Sequence, residues 1–252
     1  MNPYPKPSDV GGTLIRAVIQ NFKENAFALP LTKPTLIACS GGVDSMVLAH
    51  LLSRYGRNVI APEQITLLHF DHGWRKESAT VERDAVKKLA ASLGVKFLAH
   101  DLAPPIDSSR RSASADQIKS DNKEEDARLK RNEVYDSLAG ESKPFAHVLT
   151  AHHLDDVIET LIWRFFRGEF LEQSDGILFT DPPMLRPFLK VLKEVLYEYA
   201  EAEKVEFFED PTNQDSSQMR ARMRQMRDRL AAAGTIGTVN LAPIGQQNGL
   251  FA

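Results

Sequence analysis

Along this chain, short apolar runs alternate with longer stretches in which apolar residues return every three or four positions. The runs "TLIAC" (35–39), "QITLLHF" (64–70), "VKFLAH" (95–100) and "HVLTA" (147–151) read as four strands, the first of them short and buried. The stretch 13–28 places Leu14, Ile15, Val18, Ile19 and Phe22 at helical spacing, and predicts a lead-in helix after a loose start. Helices are also predicted from Met46 to Leu52, over 78–94 with Gly94 as its stop, and over 123–138, burying Ala127, Val134, Tyr135 and Leu138. Two more follow, in "HHLDDVIETLIWRFFRG" (152–168) and over 191–205. Strands that alternate with helices predict an α/β fold, doubly wound, with a mainly parallel sheet and helices on both faces. Residues 104–122 read as a polar loop expected to close over a ligand, and 168–185 as an irregular stretch. The last eighteen residues, from Thr235, carry no charge and receive no structural assignment. The expected organisation is a tail and lead-in helix over 1–34, a catalytic domain over 35–215, and an arginine-rich helix with an uncharged tail over 216–252.

Composition narrows the compartment. The chain has 252 residues, 42% hydrophobic and 26% charged, which suits a soluble protein with a sizeable core. No apolar run nears the ~20 residues of a membrane span, and the proline-rich start lacks the basic-then-apolar order of a signal peptide. A single cysteine, Cys39, excludes an internal disulfide and a cysteine-built metal cage. A cytoplasmic protein with no membrane partner is expected. The net charge of −3 excludes a generally basic nucleic-acid binder, so any RNA contact needs a local patch. Residues 216–232, "SSQMRARMRQMRDRLAA", supply one, with five arginines against one aspartate; Arg220, Arg222 and Arg224 are the candidate contacts, and Arg164 and Arg167 extend them. The same stretch also reads as a solvated amphipathic helix with Met219, Met223 and Met226 packed inward.

Candidate chemistry concentrates in two places. "SGGVDS" (40–45) joins the first strand to its helix, where open α/β sheets bind ligands. Gly41 and Gly42 let backbone amides approach an anion, the helix N-terminus adds partial positive charge, and Ser40 and Ser45 add hydroxyls. Asp44 would repel phosphate unless Mg²⁺ lies between them. The stretch therefore asks for a nucleoside triphosphate with its metal; the competing reading is an ordinary strand-to-helix turn. It lacks the lysine of the Walker pattern. In the second place, His152, Asp155, Asp156 and Glu159 stand at offsets 0, 3, 4 and 7, which on a helix share one face and would hold a cation. There the competing reading is acidic enrichment at a helix start.

The six residues of "SGGVDS" resemble the pyrophosphate-binding loop SGGxDS of the ATP-pyrophosphatases, which split ATP between its α and β phosphates. Five further stretches occur in the order found in the tRNA(Ile)-lysidine synthetase family: "HFDHGWR" (69–75), "EEDARLKRNEVY" (124–135), "TAHHLDDVIETLIWRFFRG" (150–168), "LRPFL" (185–189) and "EDPTN" (209–213). The resemblance spans 35 to about 224. It implies adenylation by ATP of O2 of the wobble cytidine in a tRNA(Ile) with a CAU anticodon, then attack on C2 by the ε-amine of free L-lysine. It further implies ATP binding by Ser40, Gly41, Gly42, Val43, Asp44, Ser45 and His72, with Mg²⁺ on Asp44. His152 and Arg128 would act near the α-phosphate and the cytidine, and Asp156 and Glu159 would grip the lysine. The resemblance leaves room for a homodimer. Asp71 and His72 end the second strand, a position that lines the adenosine pocket in this fold, and His153 receives no assigned role. Trp74 stands where leucine is usual, residues 169–184 lack the usual glycine-rich sequence, and "RARMRQ" lacks an asparagine after its first arginine. A short form without additional C-terminal domains is expected. The alternatives are a tRNA thiolase, a small-molecule amide-forming synthetase, and an inactive ATP- or RNA-binding relic.

Overall fold

The computed structural model describes residues 6–71, 76–102, 120–167 and 177–208. Its elements run α1 (Asp9–Glu24), β1 (Thr35–Ala38), α2 (Val43–Tyr55), β2 (Ile65–Asp71), α3 (Lys76–Leu93) and β3 (Lys96–Asp101). They continue with α4 (Ser120–Leu138), β4 (His147–Leu149), α5 (Leu154–Arg167), β5 (Thr180–Asp181), β6 (Met184–Leu185) and α6 (Lys193–Glu203).

The strands form one sheet in the order β3-β2-β1-β4-β6-β5. Every pairing is parallel except β5 with β6, and Thr35 lies opposite both Ile65 and His147. Strand order therefore reverses between β1 and β4. The carboxyl ends of those two strands flank the crevice where such sheets bind ligands.

Period-two alternation divides the core into two layers. Ile37 and Leu67 face α1, α2, α3 and α6, whose Val18, Phe22, Leu48, Leu52, Val86 and Tyr199 complete that layer. Leu36, Leu68 and Val148 face the other way, onto Tyr135 of α4 and Ala139 just after it. Ala127, Tyr135, Val134 and Leu138 all belong to the inward side of α4, as their spacing predicts.

Three departures from the sequence reading have physical causes. Helix α1 starts at Asp9, because Ser8 caps it and accepts the Gly11 N–H at 3.2 Å. Glycine suits position 11 because a Cβ would lie only 3.1 Å from the Tyr199 ring. Helix α5 starts at Leu154, so His152 and His153 belong to the turn before it and not to the helix face. Within 168–185, two residues of β6 extend the parallel sheet beside β4, with Val148 opposite Met184; so short a strand has no periodicity to read. Gly94 does end its helix, with φ of +67°.

Phe22 is fully buried and meets Phe179 edge-on, with ring centroids 5.1 Å apart. Phe22→Ala should lower the unfolding free energy by about 3–5 kcal/mol in a denaturant titration.

Candidate functional site

Between Ala38 and Val43 the chain turns in four residues. Gly41 adopts φ of +100°, a conformation that strains any residue with a side chain. Gly42 caps α2 without a side-chain bond, which leaves the first helical amides for an anion. The Ser45 hydroxyl holds the turn together: Oγ accepts the Ser40 N–H at 3.1 Å and donates to the Gly42 carbonyl at 3.0 Å. From β2, buried His69 donates through Nδ1 to the Cys39 carbonyl at 2.9 Å. After α6, the Phe208 N–H donates to the Gly41 carbonyl at 2.9 Å. That carbonyl and the Gly42 amide belong to one planar peptide and point oppositely, so the bond aims the Gly42 N–H away from Phe208.

Asp44 stands in the first turn of α2. Its Oδ2 lies 3.7 Å from His153 Nε2 and 3.5 Å from Lys193 Nζ. Burial works against its ionisation, but His153 and Lys193 prevail and lower its pKa. Its other oxygen, Oδ1, is buried with no hydrogen-bond partner. An ionised oxygen without a donor suits a cation, and Asp44 fits a Mg²⁺ carried on phosphates. Among the described residues no cluster of three or more His, Cys, Asp or Glu has the geometry of a metal cage. Phosphate oxygens and water would therefore complete the coordination.

Across the crevice, α5 brings its acids to the same point. His153 is 3% exposed, with Asp155 Oδ2 3.5 Å from Nδ1 and Asp156 Oδ2 3.6 Å from Nε2. At these separations the carboxylates act through charge, and Nδ1 makes no hydrogen bond. Burial opposes the charged ring, yet Asp155, Asp44 and Asp156 override it and lift its pKa to about 9. Asp156 Oδ2 also accepts the His153 N–H at 2.9 Å, and Asp155 Oδ2 accepts the Lys193 N–H at 2.7 Å. The starts of α5 and α6 are thus bound together beside α2. Glu159, one turn further along α5, is buried. Asp44, Asp155 and Asp156 thus gather around His153 at the crevice, with Lys193 beside Asp44.

His152 takes the opposite state. Its ring reaches solvent, and Nδ1 lies 2.9 Å from the Thr150 hydroxyl. Crowding by protein lowers its pKa; Asp156 acts against that, and Arg186, His153 and Arg131 reinforce it. Arg186, from "LRPFL", is buried and donates to the Leu178 carbonyl at 2.7 Å and to Asp181 at 3.3 Å. Arg128 is exposed on α4.

The structure brings together Asp44, Asp155 and Asp156 through His153. Sequence reading left His153 without a role and did not single out Lys193, Arg186 or Arg131. The doubled histidine of "AHHLDD" was the available signal for His153; a lysine at a helix start gives none. His72, Arg220, Arg222 and Arg224 lie outside the described residues, as do 104–119, Asp210, Asn213 and the uncharged tail.

Two outcomes follow from this geometry. Phe208→Pro, which removes the N–H, should weaken ATP binding several-fold by calorimetry, whereas Phe208→Ala should leave it near wild type. The folded pKa of His153, about 9, exceeds its ordinary value of 6.5. Its stabilisation is therefore complete below pH 6.5 and is lost as pH rises through about 9. Denaturant titrations should show wild-type stability falling by on the order of 1–3 kcal/mol across that window, and His153→Gln should flatten the fall.

Comparison with known proteins agrees with this arrangement. The model of the PP-loop domain matches residues 15–229. The tRNA(Ile)-lysidine synthase of Chlamydia caviae is 31% identical over 202 residues, covering 79% of this chain and 58% of the relative. That of Bradyrhizobium diazoefficiens is 34% identical over 220 residues, covering 82% and 55%. That of Lactiplantibacillus plantarum is 33% identical over 213 residues, covering 82% and 44%. The chain spans about half the length of the curated relatives it matches. In fold, it resembles a U34-tRNA thiolase from Methanococcus maripaludis, with a TM-score of 0.65 at 16% identity over 89% of this chain and 74% of that one. An NMN synthetase from Francisella tularensis follows, with a TM-score of 0.51 at 13% identity over 89% and 87%. A family model that covers most of the chain, on a sheet whose switch point carries the glycine-serine turn, makes this chain a member of the PP-loop domain family.

Proposed function

We propose that this chain is the catalytic part of a tRNA(Ile)-lysidine synthetase. It would adenylate O2 of the wobble cytidine of a CAU-anticodon tRNA with ATP, then join free L-lysine at C2. The observation that carries the reading is the seat of the α5 acids directly against the phosphate-binding turn, with His153 between Asp44 and Asp156. An activated carbonyl carbon and the amine that attacks it must meet within one site, and here an anion cradle adjoins a cation trap.

The roles follow from charge. The amides after Gly42, with Ser40 and Ser45, receive the β and γ phosphates. Mg²⁺, held by Asp44, would neutralise phosphate charge as pyrophosphate departs. His152 is kept neutral by its surroundings; when Thr150 donates to Nδ1, the ring hydrogen sits on Nε2 and is available to an α-phosphate oxygen. As cytidine O2 bonds to the α-phosphorus, the bond to pyrophosphate breaks. Asp156 and Glu159 hold the amines of lysine, and a carboxylate there can take the proton that the ε-amine must lose before it attacks. Attack at C2 then expels AMP. Arg128 and Arg131 on α4 are cations suited to the cytidine's phosphate, and Arg220, Arg222 and Arg224 to the tRNA backbone.

A thiolase reading meets an obstacle in the sole cysteine. Cys39 is buried beneath the turn, and burial pushes its thiol pKa up to about 11. Among the described residues no helix is long and apolar enough to cross a membrane.

Purified protein with ATP, Mg²⁺ and radiolabelled lysine should label an unmodified CAU-anticodon tRNA(Ile), and should not label its C34→U counterpart. Asp156→Asn and Glu159→Gln should each lower labelling at least 100-fold while pyrophosphate release stays dependent on tRNA. Absence of both label and pyrophosphate in the wild type would overturn the assignment.

A further inference from the structure

The glycine-serine turn contains no lysine, yet one reaches it from another helix. Lys193 opens α6 directly after its cap, Leu192, and its N–H is fixed by Asp155 Oδ2 at 2.7 Å. The backbone of this residue is therefore held at the crevice, and a long flexible stem carries the charge onward. Nζ stands 3.5 Å from Asp44 Oδ2. A firm charged hydrogen bond closes to about 2.7–2.9 Å, so the ammonium rests on Asp44 without being clamped. It also lies 5.9 Å from the centre of the Tyr197 ring, one turn along α6, whose face attracts a cation. The Lys193 side chain is 27% exposed, whereas that of His153 is 4% exposed and enclosed by three carboxylates. Of these two cations, His153 is locked in place and Lys193 can turn.

We infer, on the ATP-binding reading above, that Lys193 is an exchangeable cation: it rests on Asp44 until Mg·ATP arrives, then turns onto an oxygen of the terminal phosphates. Charge drives the exchange. Asp44 Oδ1 is buried without a hydrogen-bond partner, which leaves it to the metal. A metal there would face the ammonium across one carboxylate, and two cations so close repel each other. The terminal phosphates are multiply charged, where Asp44 carries a single charge, and they draw the ammonium away. In Walker-type loops a lysine within the loop makes this contact with the β and γ phosphates. Here α6 would supply it, from 149 residues beyond Asp44. The same helix leads into Phe208, whose N–H already holds the Gly41 carbonyl.

Calorimetry on the full chain tests this, with Mg·ATP, Mg·pyrophosphate and AMP as ligands. Lys193→Met keeps an apolar stem and the backbone N–H. It should weaken Mg·ATP and Mg·pyrophosphate roughly tenfold or more, as for the loss of one hydrogen bond to a charged group. AMP affinity and melting temperature should stay near wild type, and Lys193→Arg should recover most of the Mg·ATP affinity. Mn²⁺ binding without nucleotide, read by electron spin resonance, should be undiminished in Lys193→Met, because a competitor for Asp44 is gone. Wild-type affinity of Lys193→Met for Mg·ATP would overturn the phosphate contact. An equal loss for AMP, or weaker Mn²⁺ binding, would also overturn it and assign Lys193 to holding Asp44 in place. Each of these results leaves the ATP reading standing, since the wild type still binds Mg·ATP. A wild type that binds no Mg·ATP would overturn the exchange and the ATP reading together.

Discussion

A single buried imidazolium holds this site together. Asp44, Asp155 and Asp156 would repel one another across the crevice, and His153 is the cation that lets them converge. Breaking a buried charge cluster at one member is costly because the others are left uncompensated. The positions of α2 and α5 at the crevice are therefore linked by charge as well as by packing. Lys193 adds a second cation from α6, so three helix starts meet at one electrostatic knot.

The sheet supplies the geometry that makes the knot useful. Because strand order reverses between the neighbours β1 and β4, the turns that follow them open into the same crevice. One turn presents helix-start amides and glycine backbone, which would suit an anion. The other is rich in carboxylates. A substrate with a phosphate chain and a substrate with amines would each find a complementary wall, and the reacting atoms would lie between them.

Much of the frame was legible in the sequence. The buried strands announced themselves as apolar runs, and α4 declared its inward face through Ala127, Tyr135 and Leu138. The turn at Ser40–Ser45 was readable because glycine, hydroxyls and an acid have few other reasons to gather between a strand and a helix. What escaped notice depends on long-range folding. Lys193 lies 149 residues from the carboxylate it faces, and nothing local to a lysine at a helix start points there. His153 looked redundant beside His152. The two rings diverge in charge because carboxylates enclose one, whereas crowding by protein, reinforced by Arg186 and Arg131, keeps the other neutral. The strand β6 is two residues long, too short to carry a period, and its place is fixed by pairing with β4.

Helix α2 is buried from Ser45 through Ser53, with no side left to water. Such a helix cannot tilt or slide without disturbing α1, α3, α6 and the sheet together. The glycine-serine turn at its head is therefore an anvil, to which a ligand would have to come. The less enclosed elements are α4 and the outer half of α5. The division sets a fixed datum at the turn and would leave accommodation of any ligand to the opposite wall.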